Sequence, residues 1–163
     1  MTAPLPGDFA LTRIRGLAGA FVGAGQWFIG DGAPVHHALV YIGGGYVVQA
    51  MPGGAEMIPM EDASPVVAWS TGRIPLTAAQ RVTVAEEATN LVGTPYSFLD
   101  YASIGLAHLG LRPRWLRDYV ASTGHMICSQ LVDEVYRRAR VDLFDDDRIP
   151  GDVTPGDLWR LIK

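Results

Sequence analysis

The chain is 163 residues long, 48% hydrophobic and 18% charged, with a formal net charge of −4. These values fit one compact, water-soluble domain spanning 1–163, with room for a real core, and the lack of a basic stripe argues against nucleic acid as a partner. The single cysteine, Cys128, excludes an intrachain disulfide.

Pro6-Gly7-Asp8 reads as a turn, and Phe9-Ala10-Leu11-Thr12 as a short strand. Residues 16–28 suggest a weak helix, since glycines at 16, 19, 23 and 25 each cost about 1 kcal/mol against alanine. The apolar stretch 17–29 is too short to span a bilayer and contains Gln26. After the turn Asp31-Gly32-Ala33-Pro34 comes His36-His37-Ala38-Leu39-Val40-Tyr41-Ile42, a strand rich in β-branched and aromatic residues. It is followed by Gly43-Gly44-Gly45 and a second such run, Tyr46-Val47-Val48-Gln49-Ala50. The glycines supply the positive φ that a tight hairpin needs. A three-residue loop sets Ile42 opposite Tyr46 and Leu39 opposite Gln49, so that His37, Leu39, Tyr41, Val47 and Gln49 share one face. A two-residue loop shifts the parity and puts Gln49 on the side of His36.

Ala55-Glu56-Met57-Ile58-Pro59-Met60 predicts an edge-like strand limited by Pro59, and 65–70 a further strand. Thr77-Ala78-Ala79-Gln80 is a capping-box pattern that opens a helix to about residue 91, closed by Gly93 and Pro95. Its expected apolar stripe is Val82, Ala85, Ala88 and Val92, with Arg81, Glu86, Glu87 and Asn90 wet. Residues 99–111 read as helical, 115–120 as a short turn of helix, and the region from 96 to 124 as an insertion covering the site. A last clear helix starts near Cys128, with Leu131, Val132, Val135, Tyr136 and Ala139 on its inward face and Asp133, Glu134, Arg137 and Arg138 outward. The C-terminal Thr154-Pro155-Gly156-Asp157 reads as a turn leading to a short apolar tail.

A lone cysteine is most often a small buried hydrophobe. Three features give Cys128 a second reading. A helix N-terminus carries roughly half a positive charge and free N–H groups, which stabilise a thiolate and can receive an oxyanion. A histidine in reach completes the pair as base and then acid. A glutamine carbonyl oxygen can fix the imidazole tautomer without adding charge. His37 and Gln49 are the candidates on the hairpin, with His36, His108 and His125 as competing histidines. Zinc would need two histidines beside Cys128, but the adjacent His36 and His37 point to opposite faces of a strand, so neither a metal nor any other cofactor is expected. The aspartates at 145–147 lack the spacing of a calcium loop.

Together these motifs resemble the NlpC/P60 superfamily of papain-like thiol enzymes, in its circularly permuted branch, where the histidine hairpin precedes the cysteine helix. That branch includes YiiX/YebB-like hydrolases and lecithin:retinol acyltransferase-like enzymes. In the latter the hairpin reads as His, apolar residues, Tyr, a glycine turn, Tyr-Val-Val and a second polar residue. His37, Tyr41, Gly43, Gly45, Tyr46-Val47-Val48 and Gln49 match that spacing. The resemblance selects His37 over His36 and the register that puts Gln49 beside it. Cys128-Ser129-Gln130-Leu131-Val132 resembles the Cys-Ser-x-Leu-Val helix start of NlpC/P60 hydrolases and departs from the Asn-Cys-Glu-His pattern of the lipid acyltransferases. Gly93-Thr94-Pro95-Tyr96 resembles a segment whose tyrosine lies near the oxyanion site, and Pro6-Gly7-Asp8 a turn near the domain start.

The resemblance implies an α+β, permuted papain-like fold in which a small antiparallel sheet packs against a helix carrying Cys128. It implies a cysteine hydrolase that cleaves an amide of a peptidoglycan-type peptide, or a related acyl bond, through a thioester. Cys128 would be the nucleophile, His37 the base, Gln49 the orienting group and Tyr96 an oxyanion donor. The rival readings are a lipid thioesterase or acyltransferase, with a groove lined by 17–29 and 99–111, and a non-catalytic module that keeps the fold. The N-terminus lacks the basic and apolar regions of a secretory signal, so a cytoplasmic or phage-associated location is expected.

Overall fold

The computed structural model describes residues 3–13, 33–51, 53–95, 128–146 and 153–163. The expected helices over 16–28, 99–111 and 115–120 lie outside the described residues, as do Tyr96, His108 and His125.

The described chain is α+β. Five strands, β1 (Phe9–Thr12), β2 (His37–Gly43), β3 (Tyr46–Met51), β4 (Gly54–Pro59) and β5 (Val66–Trp69), form one sheet in the order β4-β3-β2-β1-β5. Every neighbouring pair is antiparallel. Three helices accompany it: α1 (Ala78–Asn90), α2 (Cys128–Arg138) and α3 (Pro155–Ile162).

The hairpin β2–β3 decides which side chains share a face. Leu39 pairs with Gln49, Val40 with Val48 and Tyr41 with Val47, as the preferred register requires. The tip differs from the expected three-residue loop. Gly43 pairs with Tyr46, Ile42 forms a bulge, and Gly44 (φ 62°) and Gly45 (φ 83°) make a two-residue turn. Two consecutive positive φ values suit a tight hairpin turn, and the bulge absorbs the extra residue, so the parity below the tip is kept.

Strand alternation then separates two apolar layers. Phe9, Leu11, Ala38, Val40, Val48, Ala50 and Ala55 lie in the main core with residues of all three helices. Ala10, Leu39 and Val47, with Tyr41, Ile58 and Trp69 half-buried beside them, form a smaller cluster on the other face. Helix α2 packs on β2 and β3, and α1 on β2 and on α2.

Helix α1 is capped as the sequence predicts. Thr77 Oγ1 accepts from the Gln80 N–H at 3.2 Å, and the Gln80 side chain accepts from the Thr77 N–H at 3.0 Å. Its inward face is not the expected one. Val84, Ala88 and Leu91 are buried, whereas Val82 and Val92 are exposed. Arg81, expected in water, donates to the buried Asp8 carboxylate at 2.8 Å. That ion pair turns the helix so that Arg81, Val84, Ala88 and Leu91, spaced three or four apart, face the sheet.

Helix α2 buries Leu131, Val132, Val135, Tyr136 and, just beyond its end, Ala139, as expected, but Asp133 is buried as well. Tyr136 meets Phe9 edge-on, and its hydroxyl donates to Gly7 O at 2.6 Å. The C-terminal stretch, expected as a turn and tail, is helix α3 instead. Thr154 accepts from the Asp157 N–H, the Asp157 carboxylate accepts from the Thr154 N–H, and Pro155 opens the first turn. A proline loses nothing at a first helical position, so Pro-Gly here starts a helix rather than preventing one.

Candidate active site

His37 is the first residue of β2 and Gln49 lies diagonally across on β3. The His37 Nε2 and Gln49 Oε1 atoms are 2.9 Å apart. Cross-strand diagonal neighbours are within reach of long side chains, which explains the contact without any distortion of the ladder. Both residues are buried. The Cys128 side chain hydrogen-bonds the His37 ring. With Nε2 engaged by Gln49, the ring nitrogen left for the sulfur is Nδ1.

The contact with Cys128 is made in an unexpected place. By alternation, His37 and Gln49 lie on the face of Leu39 and Val47, while the body of α2 packs against the opposite face, among Ala38, Val40 and Val48. Cys128 belongs to neither apolar cluster. It is the first residue of α2, as His37 is the first of β2. The pairing is therefore made at the margin of the sheet, where strand and helix both start. Ser129, the next residue, is held by its hydroxyl, which donates to Val153 O at 2.6 Å.

Electrostatics follow from this arrangement. Burial disfavours a charged imidazole, but a Cys128 thiolate, the hydrogen bonds to Cys128 and Gln49, and the charge of Glu56 outweigh it. The His37 pKa is raised above its ordinary value.

Glu56 is the residue that reading the sequence missed. It lies directly opposite Gln49 on β4, and its Oε1 accepts from Gln49 Nε2 at 2.9 Å. The signal was the short connection between β3 and β4, whose register pairs Met51 with Gly54 and hence Gln49 with Glu56. The edge of β4 is itself covered by the segment that follows α1. Ala55 N–H donates to Thr94 O at 2.8 Å, and Gly93 N–H to Ala55 O at 2.7 Å. Gly54 permits this approach, since a Cβ there would lie 2.9 Å from Thr94 O. The strand carrying Glu56 is thus tied to residues 93–95, immediately before Tyr96.

His36 precedes β2, and its N–H donates to Thr12 O at 3.0 Å. Thr12 pairs with His37 across β1 and β2 and is fully buried. Cys128 is 2% exposed, a degree of closure that belongs to the non-catalytic reading, while its bond to His37 belongs to the catalytic one. The segments expected to line a lipid groove lie outside the described residues. Among the described residues no helix is long and apolar enough to cross a membrane, and no three His, Cys, Asp or Glu side chains cluster as a metal site.

No protein-family model matches the chain, and no curated protein matches it.

Proposed function

We propose that the chain is a cysteine hydrolase of permuted papain-like fold, cleaving an amide or related acyl bond. The observation that supports this is the hydrogen-bonded series Cys128–His37–Gln49. A nucleophile in contact with a base, itself held by a third polar group, is the arrangement that covalent acyl transfer needs.

In the proposed reaction the Cys128 sulfur attacks the substrate carbonyl carbon, and the carbonyl π electrons move to oxygen. The oxyanion is steadied by the N–H of Cys128 and, by the resemblance, by Tyr96. As the carbonyl re-forms, the bond to the amine breaks and His37 gives its Nδ1 proton to the leaving nitrogen. Cys128 is left as a thioester and His37 as neutral imidazole. His37 then takes a proton from water as the water oxygen attacks the thioester. The tetrahedral species collapses with the sulfur leaving, which releases the acid and restores the pair. Gln49 accepts from Nε2–H throughout, so the ring neither turns nor changes tautomer. The peptidoglycan-type peptide is the proposed substrate class on the strength of the Cys128-Ser129 and Gly93-Thr94-Pro95-Tyr96 motifs.

The near-complete burial of Cys128 favours a second reading, a non-catalytic interaction module. Iodoacetamide alkylation of the folded chain as a function of pH separates the two. An activated thiol reacts well below the free-cysteine value of about 8.5, and His37→Ala moves the profile upward. A Cys128 that reacts only on unfolding, or with a profile indifferent to His37, rules out the hydrolase. Peptidoglycan peptides and phospholipid vesicles, each incubated with the chain and with Cys128→Ser, then identify the substrate class by a Cys128-dependent product.

A further inference from the structure

We infer that Glu56 is a positioning residue: it fixes the direction of the Gln49 side-chain amide and, through it, the tautomer of His37. The inference deepens the proposed function and rests on His37 acting as the base toward Cys128.

An ionised carboxylate only accepts hydrogen bonds, so Glu56 Oε1, 2.9 Å from Gln49 Nε2, must receive an N–H from it. A planar amide that gives its nitrogen to one side offers its oxygen to the other. That oxygen is 2.9 Å from His37 Nε2. An amide oxygen also only accepts, so Nε2 carries a hydrogen whether the ring is neutral or charged. The neutral ring then has its lone pair on Nδ1, facing Cys128, where it can take the thiol proton. Turn the amide round and the sequence reverses. Its NH₂ would face Nε2, the neutral ring would carry its hydrogen on Nδ1, and it would donate to the sulfur instead of accepting from it.

Gln49 alone does not choose between these two states, because its oxygen and nitrogen ends are nearly the same shape. Glu56 does, because it is charged and has no hydrogen to give. The backbone supports it. Glu56 is directly opposite Gln49 in an unbroken antiparallel register from Tyr46↔Pro59 to Met51↔Gly54. Its neighbour Ala55 is held on both sides, by Ala50 in the sheet and by residues 93–94 at the edge. Glu56 is exposed, so replacing it leaves the core intact.

The test reads the tautomer directly, by nitrogen-15 NMR of the His37 ring at a pH where it is neutral. A Cys128→Ala background removes the sulfur's own pull on the ring, so that Gln49 alone decides the outcome. The background chain with Glu56 is expected to show the Nε2–H tautomer, and Glu56→Gln, whose amide can present either its oxygen or its NH₂ to Gln49, is expected to lose that single preference. Glu56→Ala is expected to show a mixture. Glu56→Lys, which only donates, draws the Gln49 oxygen to itself and is expected to exchange the protonated and bare nitrogens. A single tautomer across all four chains overturns the inference, as does Glu56→Ala keeping the Nε2–H tautomer of the background chain, which would mean that Gln49 is oriented without Glu56. Because this readout needs no reactive thiol, it stands apart from the hydrolase test. An ordinary alkylation profile would refute the hydrolase and leave the tautomer of these chains still deciding the role of Glu56.

Discussion

His37 is a histidine in conditions that ought to keep it neutral. Burial alone drives a histidine pKa down, and this ring is 3% exposed. The shift goes the other way because burial is opposed by a thiolate in contact, by the Gln49 acceptor and by the Glu56 charge. The largest of those opposing causes is Cys128, so Cys128→Ser is expected to lower the His37 pKa relative to the native chain, measured by NMR titration of the ring. An unchanged value would mean that the thiolate does not act on the ring. The sign of the linked stability follows. A folded-state pKa above the unfolded value of about 6.5 means that proton binding favours the folded chain. The contribution of His37 is complete below that unfolded value and is lost as pH rises through the folded one. Cys128→Ser should narrow that window from its upper side.

The elements divide by how local their determinants are. The hairpin was legible because alternation and a glycine turn specify faces over a dozen residues, and one bulge at Ile42 left the parity intact. The cap of α1 was legible because Thr77 and Gln80 settle it between themselves. The face of α1 was not, because Val82, Val84, Ala85 and Ala88 offer two stripes, and the choice is made by Asp8, far away in sequence. Glu56 was hidden for the same reason, since its role exists only once β4 is paired with β3. Helix α3 was a different failure. Its capping box lies in Thr154 and Asp157, but Pro155-Gly156 between them is equally a turn signal. Thr154→Ala is expected to cost about 1 kcal/mol, the usual worth of a helix N-cap. Urea denaturation should show a lower midpoint at constant slope, with Thr154→Ser close to the native chain. Since Ser129 Oγ donates to Val153 O beside this cap, the loss falls next to Cys128. A midpoint unmoved by Thr154→Ala would mean that the box adds nothing to stability.

For the whole molecule, what matters is how two helices from distant parts of the chain are held on one sheet. The turn Pro6-Gly7-Asp8 does much of this. Gly7 N–H donates to Tyr41 O and Tyr41 N–H to Asp8 O, which fastens the turn to β2. Tyr136 of α2 donates to Gly7 O. Asp8 accepts from Leu5 N–H, from Thr71 Oγ1 and from Arg81 of α1. Both helices thus meet the strand that carries His37 through two adjacent residues, Gly7 and Asp8. The Asp8 side chain is 1% exposed and Arg81 18%, so the pair is shielded on the carboxylate side. Removing one partner of such a pair leaves the other charge uncompensated, at a cost of about 3 kcal/mol. Asp8→Ala and Arg81→Ala are each expected to destabilise on that scale, Asp8→Ala more, since it also strands the Leu5 and Thr71 donors. The double variant should cost less than the sum of the singles by more than about 1 kcal/mol, which urea denaturation of all four chains measures. Additive losses would mean that the ion pair is incidental and that apolar packing alone sets the face of α1. In that case Val84, Ala88 and Leu91 would have to select the face against the competing stripe of Val82 and Val92 without help, and Val84→Ala would cost more than either charged substitution. The expected order is the reverse, because the pair fixes the rotation of α1, and α1 in turn packs on α2, the helix that brings Cys128 to His37.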